Sequence, residues 1–236
     1  MTVKDIMDRV SMLYNDAGYD RVPQETYLKF LDDTLSQLVL SRPDSHVMTD
    51  IVLLDSDTRQ ELPKNAQTLI CIYRNMGNDG ITKGAPVWQV NRKDLDYFSD
   101  WHTDTGPAPT AITEYAYDPK SPRIFWVSPS PQPGTNIYVE MDYSIPFDKY
   151  SDLDWNDAIQ EVIPVDDVFI NPICNYMLFL LYSTDAASKN DKITADQYRR
   201  AFYADLGLEQ KAMLVSMPFP GNTPIFMSPK EPTANG

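Results

Sequence analysis

The hydrophobic period of this chain changes twice, and each change narrows what it can fold into. Apolar residues recur every three to four positions up to about Pro43, alternate from about Val47, and return to helical spacing near Asp166. A stretch written with one period scatters its apolar face if forced into the other kind of element. The order therefore implies an α+β fold in which helices come from both ends of the chain and strands from its middle.

Thr2 with Asp5 has the spacing of a capping box. Val3, Ile6, Met7, Val10, Leu13, Tyr14 and Ala17 then form an apolar stripe, with Gly18 as the left-handed stop. Pro23 fits the first turn of a second helix, whose stripe is Tyr27, Phe30, Leu31, Leu35 and Leu38 and whose limit is Pro43. The short link predicts that these two helices pair antiparallel. Asn171 and Pro172 mark the start of a third helix bearing Ile173, Tyr176, Met177, Leu180 and Leu181. Thr194 and Gln197 predict the cap of a fourth, with Tyr198, Ala201 and Phe202, then Leu208 and Met213 beyond Gly207. Neither pair of helices makes a comfortable core alone. Together they predict a four-helix bundle, 1–46 with 160–216, carrying an inserted antiparallel β domain at 47–159.

Within the insert, strands are expected over 47–54, 68–74, 110–117, 123–128 and 136–144, with a short helix over 91–98 capped by Asn91. The last strand alternates clearly, Ile137, Val139, Met141 and Tyr143 against Tyr138, Glu140, Asp142 and Ser144. Proline-rich turns at 118–122 and 129–134 separate the later strands. Asp55, Ser56 and Asp57 read as a hairpin turn. The run from Gly77 to Gly84 reads as a flexible connector, because Lys83 precedes Gly84 where a phosphate loop needs glycine, lysine and a hydroxyl residue in that order. Residues 217–236 hold five prolines, which favour an extended arm. Met217, Phe219, Ile225, Phe226 and Met227 would dock that arm into a neighbouring protein.

The formal charge of −14 repels nucleic-acid phosphates and argues against a broad basic footprint. Eight acidic residues lie between Asp142 and Asp167 against Lys149 alone. The run from Asp152 to Asp157 superficially suggests a calcium loop, but Asp157 stands where glycine is needed and Ile163 where glutamate is needed. His46 and His102 have no carboxylate or cysteine at ligand spacing, so neither a metal centre nor a catalytic base is indicated. Cys71 and Cys174 sit in apolar surroundings and read as free thiols. No basic-then-apolar leader opens the chain, and the apolar stretch at 173–182 is about half of what a bilayer requires. Two other function classes have a foothold: a glycan-binding surface using Trp88, Trp101, Trp126 and Trp155, and a carboxylate-pair hydrolase using Asp152, Asp154, Asp157 and Glu161.

Several strings occur together and in order: the opening Thr2 to Val10, Leu40 to Asp44, Arg74 to Gly77, Tyr117 to Pro119 ahead of Phe125 to Val127, Asp166 with Asp167, and Tyr182 to Ala186. Over about residues 1–215 they resemble the head-to-tail adaptor, or connector, proteins of tailed bacteriophages, best matched among the short-tailed kinds. The resemblance implies a virion protein without enzymatic activity or cofactor. It would be assembled in the host cytoplasm as a ring of identical subunits, commonly twelve, at the head–tail interface. It implies contact with the portal protein through the helices and with the tail or nozzle through the sheet domain. It places genomic DNA in a central channel without specific binding, with no membrane involved. Asp152, Asp154, Asp157 and Glu161 are then candidates to face the channel, where acidic walls let phosphates slide.

Overall fold

The structure, a computed structural model, describes residues 1–97, 107–184 and 189–216. It is a mixed helix and sheet protein whose described residues form six α-helices and two sheets. Helix α1 (Val3–Leu13) begins at the expected capping box. The Thr2 hydroxyl accepts from the Asp5 amide at 3.2 Å, and the Asp5 carboxylate accepts from the Thr2 amide at 2.9 Å. Such a cap contributes about 1 kcal/mol. Val3, Ile6, Met7 and Val10 are buried. The helix stops a turn earlier than expected. The left-handed residue is Asn15, at φ 58°, and not Gly18, because asparagine adopts that conformation at little cost. Asp16 then organises the link, accepting from the amides of Arg21 and Val22 at 3.0 and 3.1 Å and from the Tyr27 hydroxyl at 3.3 Å.

Helix α2 (Gln24–Ser41) follows directly on Pro23, and α5 (Ile170–Thr184) carries Pro172 buried in its first turn. Helix α6 (Lys189–Ser216) starts one turn before the expected cap, so Thr194 and Gln197 lie inside it. α5 is the organising element, packing against α1, α2 and α6. Contacts between α1 and α2 are sparser than those either makes with α5. One apolar cluster joins all four: Ile6 and Val10 of α1, Leu31 and Leu35 of α2, Met177 and Leu181 of α5, Phe202 and Leu206 of α6. Burying a side chain of this size contributes about 1.5–3 kcal/mol.

The middle of the chain folds as two sheets that share one apolar cluster. One has the order β1 (Val47–Leu53), β7 (Tyr138–Ser144), β3 (Thr68–Asn75). The other runs β2 (Arg59–Glu61), β6 (Ile124–Ser128), β5 (Glu114–Tyr117), β4 (Trp88–Val90). Leu69, Ile72, Val139, Met141 and Tyr143 meet Tyr115, Phe125 and Val127 in a second apolar cluster. The alternation seen in the sequence of β7 is its burial pattern up to Tyr143, but Ser144, expected on the opposite face, is buried as well.

The insert is not purely antiparallel, because β4 and β5 pair in parallel. More than twenty residues separate them, including α3 (Arg92–Tyr97), and a parallel pair needs a crossover of about that length. Asn91 caps α3 as expected, accepting from the Lys93 amide at 3.0 Å. The turn at Asp55–Asp57 closes no hairpin, since β1 and β2 belong to different sheets and the chain changes layer there. The connector at 77–84 is held by Asp79, whose carboxylate accepts from the amides of Ile81 and Thr82, both at 2.9 Å.

The chain passes between the helices and the sheets at 42–47 and again at 144–150. At the first crossing the side chain of Arg42 is 3% exposed and Asp44 grips it twice, at 2.8 and 2.7 Å, below the ring of Phe169. At the second, Asp32 of α2 accepts from the amides of Tyr150 and Ser151 at 2.9 and 3.1 Å. His46 stacks on Phe147 with ring centroids 4.2 Å apart, linking the two crossings.

Candidate docking surfaces

The acidic residues picked out from the sequence share one short stretch. Asp152 ends a single 3-10 turn (Tyr150–Asp152), Asp154 precedes α4 (Trp155–Ala158), Asp157 lies within α4, and Glu161 follows it. All four are exposed. Beneath them Tyr150, Ala158 and Ile163 are buried in the helical cluster, and Trp155 meets Tyr19 edge-on at 5.0 Å. The backbone continues alongside the start of the chain: the Val3 amide donates to the Glu161 carbonyl at 3.0 Å and the Ile163 amide to the Met1 carbonyl at 2.9 Å. The acidic stretch is thus a fixed ridge on the helical side of the molecule. Carboxylates held outward on a rigid backbone repel phosphates without trapping counterions in a pocket. Among the described residues no three histidine, cysteine or carboxylate groups are placed to hold a metal ion.

The described tryptophans have different surroundings. Trp88 is 67% exposed on β4, while the Arg92 guanidinium covers the Trp126 ring at 3.6 Å from its centroid. Trp155 belongs to the helical cluster, and Trp101 and His102 lie outside the described residues. A hollow of about 870 Å³ opens beside Gln89, Arg92, Tyr117 and Asp118, and these residues include no nucleophile paired with a base. Burial pushes the Cys174 thiol up to about 11, which keeps it protonated and inert at neutral pH. The docking residues expected at Met217, Phe219, Ile225, Phe226 and Met227 also lie outside the described residues.

A surface that the sequence reading passed over is the outer face of the three-stranded sheet. The β1–β7 register sets Thr49 opposite Asp142 and Ile51 opposite Glu140. Asp142 accepts from the Thr49 and Tyr73 hydroxyls, both at 2.6 Å, and Glu140 pairs with Arg74 at 2.8 Å. The Asp142 hydrogen bond, with burial, pushes the Tyr73 phenol up to about 12. Beside this polar row Val47, Ile51 and Leu53 stand exposed on β1. Apolar residues at alternate positions were the sequence signal for this face, but both faces of β1 have that character.

The model of one protein family, described as SU10 adaptor protein, matches residues 1–220. The chain belongs to that family. The match spans the helical cluster, both sheets and the acidic ridge, so no described part of the adaptor stands apart from it. The resemblance to phage head-to-tail adaptors of the short-tailed type is thereby established, and with it a virion component that meets other phage head and tail proteins. No curated protein matches the chain. No helix among the described residues is long and apolar enough to cross a membrane.

Proposed function

We propose that this adaptor acts by geometry, as a subunit of a closed ring, commonly of twelve copies, that joins the portal to the tail or nozzle and surrounds the DNA channel. The observation that carries the reading is the family match across nearly the whole chain. In this reading 1–46 and 160–216 form a helical bundle that makes the ring body and the portal contacts. The sheets within 47–159 face the tail, while its last residues, 150–159, pack on the helices, and 217–236 is an arm that docks through Met217, Phe219, Ile225, Phe226 and Met227. The exposed ridge of Asp152, Asp154, Asp157 and Glu161 lines the channel, where DNA slides past without specific binding.

Negative-stain microscopy of the purified chain mixed with portal particles tests the proposal. The expected image is a portal with an added ring; a chain that stays monomeric and never joins portal particles refutes it. The channel assignment has its own test. Lysine at all four ridge positions should slow DNA release from particles, because basic walls hold phosphates. Unchanged release rates would remove the ridge from the channel.

A further inference from the structure

Two backbone hydrogen bonds fix which side of β1 is open. The Ile145 amide donates to the His46 carbonyl at 3.1 Å, and the Leu54 amide to the Ile137 carbonyl at 3.0 Å. Both pairs continue the β1–β7 register, so the even-numbered residues of β1 turn their amides and carbonyls toward β7. The odd-numbered ones, Val47, Thr49, Ile51 and Leu53, turn theirs to the opposite side. Among the described residues nothing pairs with the backbone of Val47, Thr49 or Leu53 there. Only the Ile51 amide is engaged, by the Asp50 carboxylate at 2.7 Å.

The other sheet margins are closed or short. The outer side of β3 is covered at Tyr73 and Asn75 by the backbone of Ala85 and Val87, and at Leu69 and Ile72 by the hydroxyls of Tyr117 and Tyr115. β2 and β4 have three residues each. β1 is about 24 Å long and contains no lysine, proline or bulge. Val47, Met48, Ile51 and Leu53 are 38–46% exposed on it. A long apolar margin of this kind invites another strand, and a soluble protein must cover it.

We infer that residues 224–228 of a neighbouring copy add to this margin as an antiparallel strand, with Phe226 opposite Thr49. The seat rests on the ring reading above. Three features of the segment select it as the occupant. It is the run Ile225–Ser228 that lies free of proline between Pro224 and Pro229. In this register Pro224 falls opposite Ile51, so the residue that lacks an N–H meets the position whose own amide is already held by Asp50. Phe226 and Ser228 then exchange bonds with Thr49 and Val47. Pro229 takes its missing N–H on the far side, which stops a further strand from adding. Charge is the third feature: residues 217–236 contain one lysine and one glutamate, so the segment is neutral in a chain of −14 and approaches an acidic body without repulsion. Phe226 lies ten residues beyond Ser216, a reach of roughly 33 Å when extended, which lets the segment extend beyond its own subunit.

The test uses the full chain with Cys71→Ser, since Cys71 and Thr49 both lie opposite Asp142. Thr49→Cys and Phe226→Cys are introduced together and singly. A hydrogen-bonded antiparallel pair sets its Cα atoms about 5.5 Å apart, within disulfide range. After mild oxidation in the presence of portal particles, the double variant should give a covalent ladder beyond the dimer on a non-reducing gel. Each single variant, which can only link like to like, stops at the dimer. A ladder equal in an Ile225→Cys variant paired with Thr49→Cys, a double variant that yields only internally bridged monomer, or no ladder at all overturns the seat. Co-sedimentation of the unmodified chain with portal is measured alongside: binding without a ladder overturns the seat alone, and absence of both overturns the ring reading as well.

Discussion

Asp44→Ala should loosen the first crossing between helices and sheets, and the structure gives the size of the effect. Arg42 is buried to 3% exposure, and Asp44, 40% exposed, holds it through two short hydrogen bonds. Removing one partner of a fully buried pair costs about 3–5 kcal/mol, whereas fully exposed pairs contribute about 0–1 kcal/mol. With one partner inside and one half outside, the loss should be about 2 kcal/mol. For a chain of this size that corresponds to about 4–8 °C in Tm. The pH dependence has a definite sign. The Arg42 hydrogen bond holds the Asp44 carboxyl below its ordinary value, so the folded pKa is depressed. Its contribution is complete above the unfolded value of about 4 and is lost as pH falls through the folded value. Calorimetry should therefore show a constant gap between wild type and variant above about pH 5 that narrows below pH 4. A Tm change under about 1 °C at pH 7, or a gap that persists undiminished at pH 3, refutes the reasoning.

Met177→Ala should cost about 2–5 kcal/mol in urea unfolding, because Met177 is fully buried on the helix that the other three pack against. Gly80→Ala should cost about 1–2 kcal/mol, read from thermal melts, since Gly80 stands at φ 71° and an added Cβ would lie 3.3 Å from the Tyr138 ring. Deleting 217–236 should leave helix content and Tm nearly unchanged while portal attachment, followed by co-sedimentation, is weakened; loss of folding instead would make that segment part of the subunit core.

The long elements were legible because each has several periods of its own. β1, β3 and β7 run seven or eight residues, and their expected limits lie within a residue or two of the observed ones. β2 and β4 have three residues, too few for alternation to register, and their places are set by partners distant in the chain. The parallel pairing of β4 with β5 is likewise a property of the crossover rather than of either strand. Gly18 drew the helix stop away from Asn15 because glycine is the commoner left-handed residue, while here the Asp16 carboxylate determines the path of the link. At the candidate surfaces, the exposure of the acidic ridge followed from charge alone. That Trp126 is covered by Arg92 and Trp155 packs on Tyr19 depends on residues far off in sequence, which composition could not show.

The two crossings bear on mechanics. Helices and sheets are joined by a pair of covalent strands side by side, one clasped through an arginine fork and the other through a carboxylate on main-chain amides. Tension between the helices and the sheets is therefore shared by two tethers, and neither has to stretch alone.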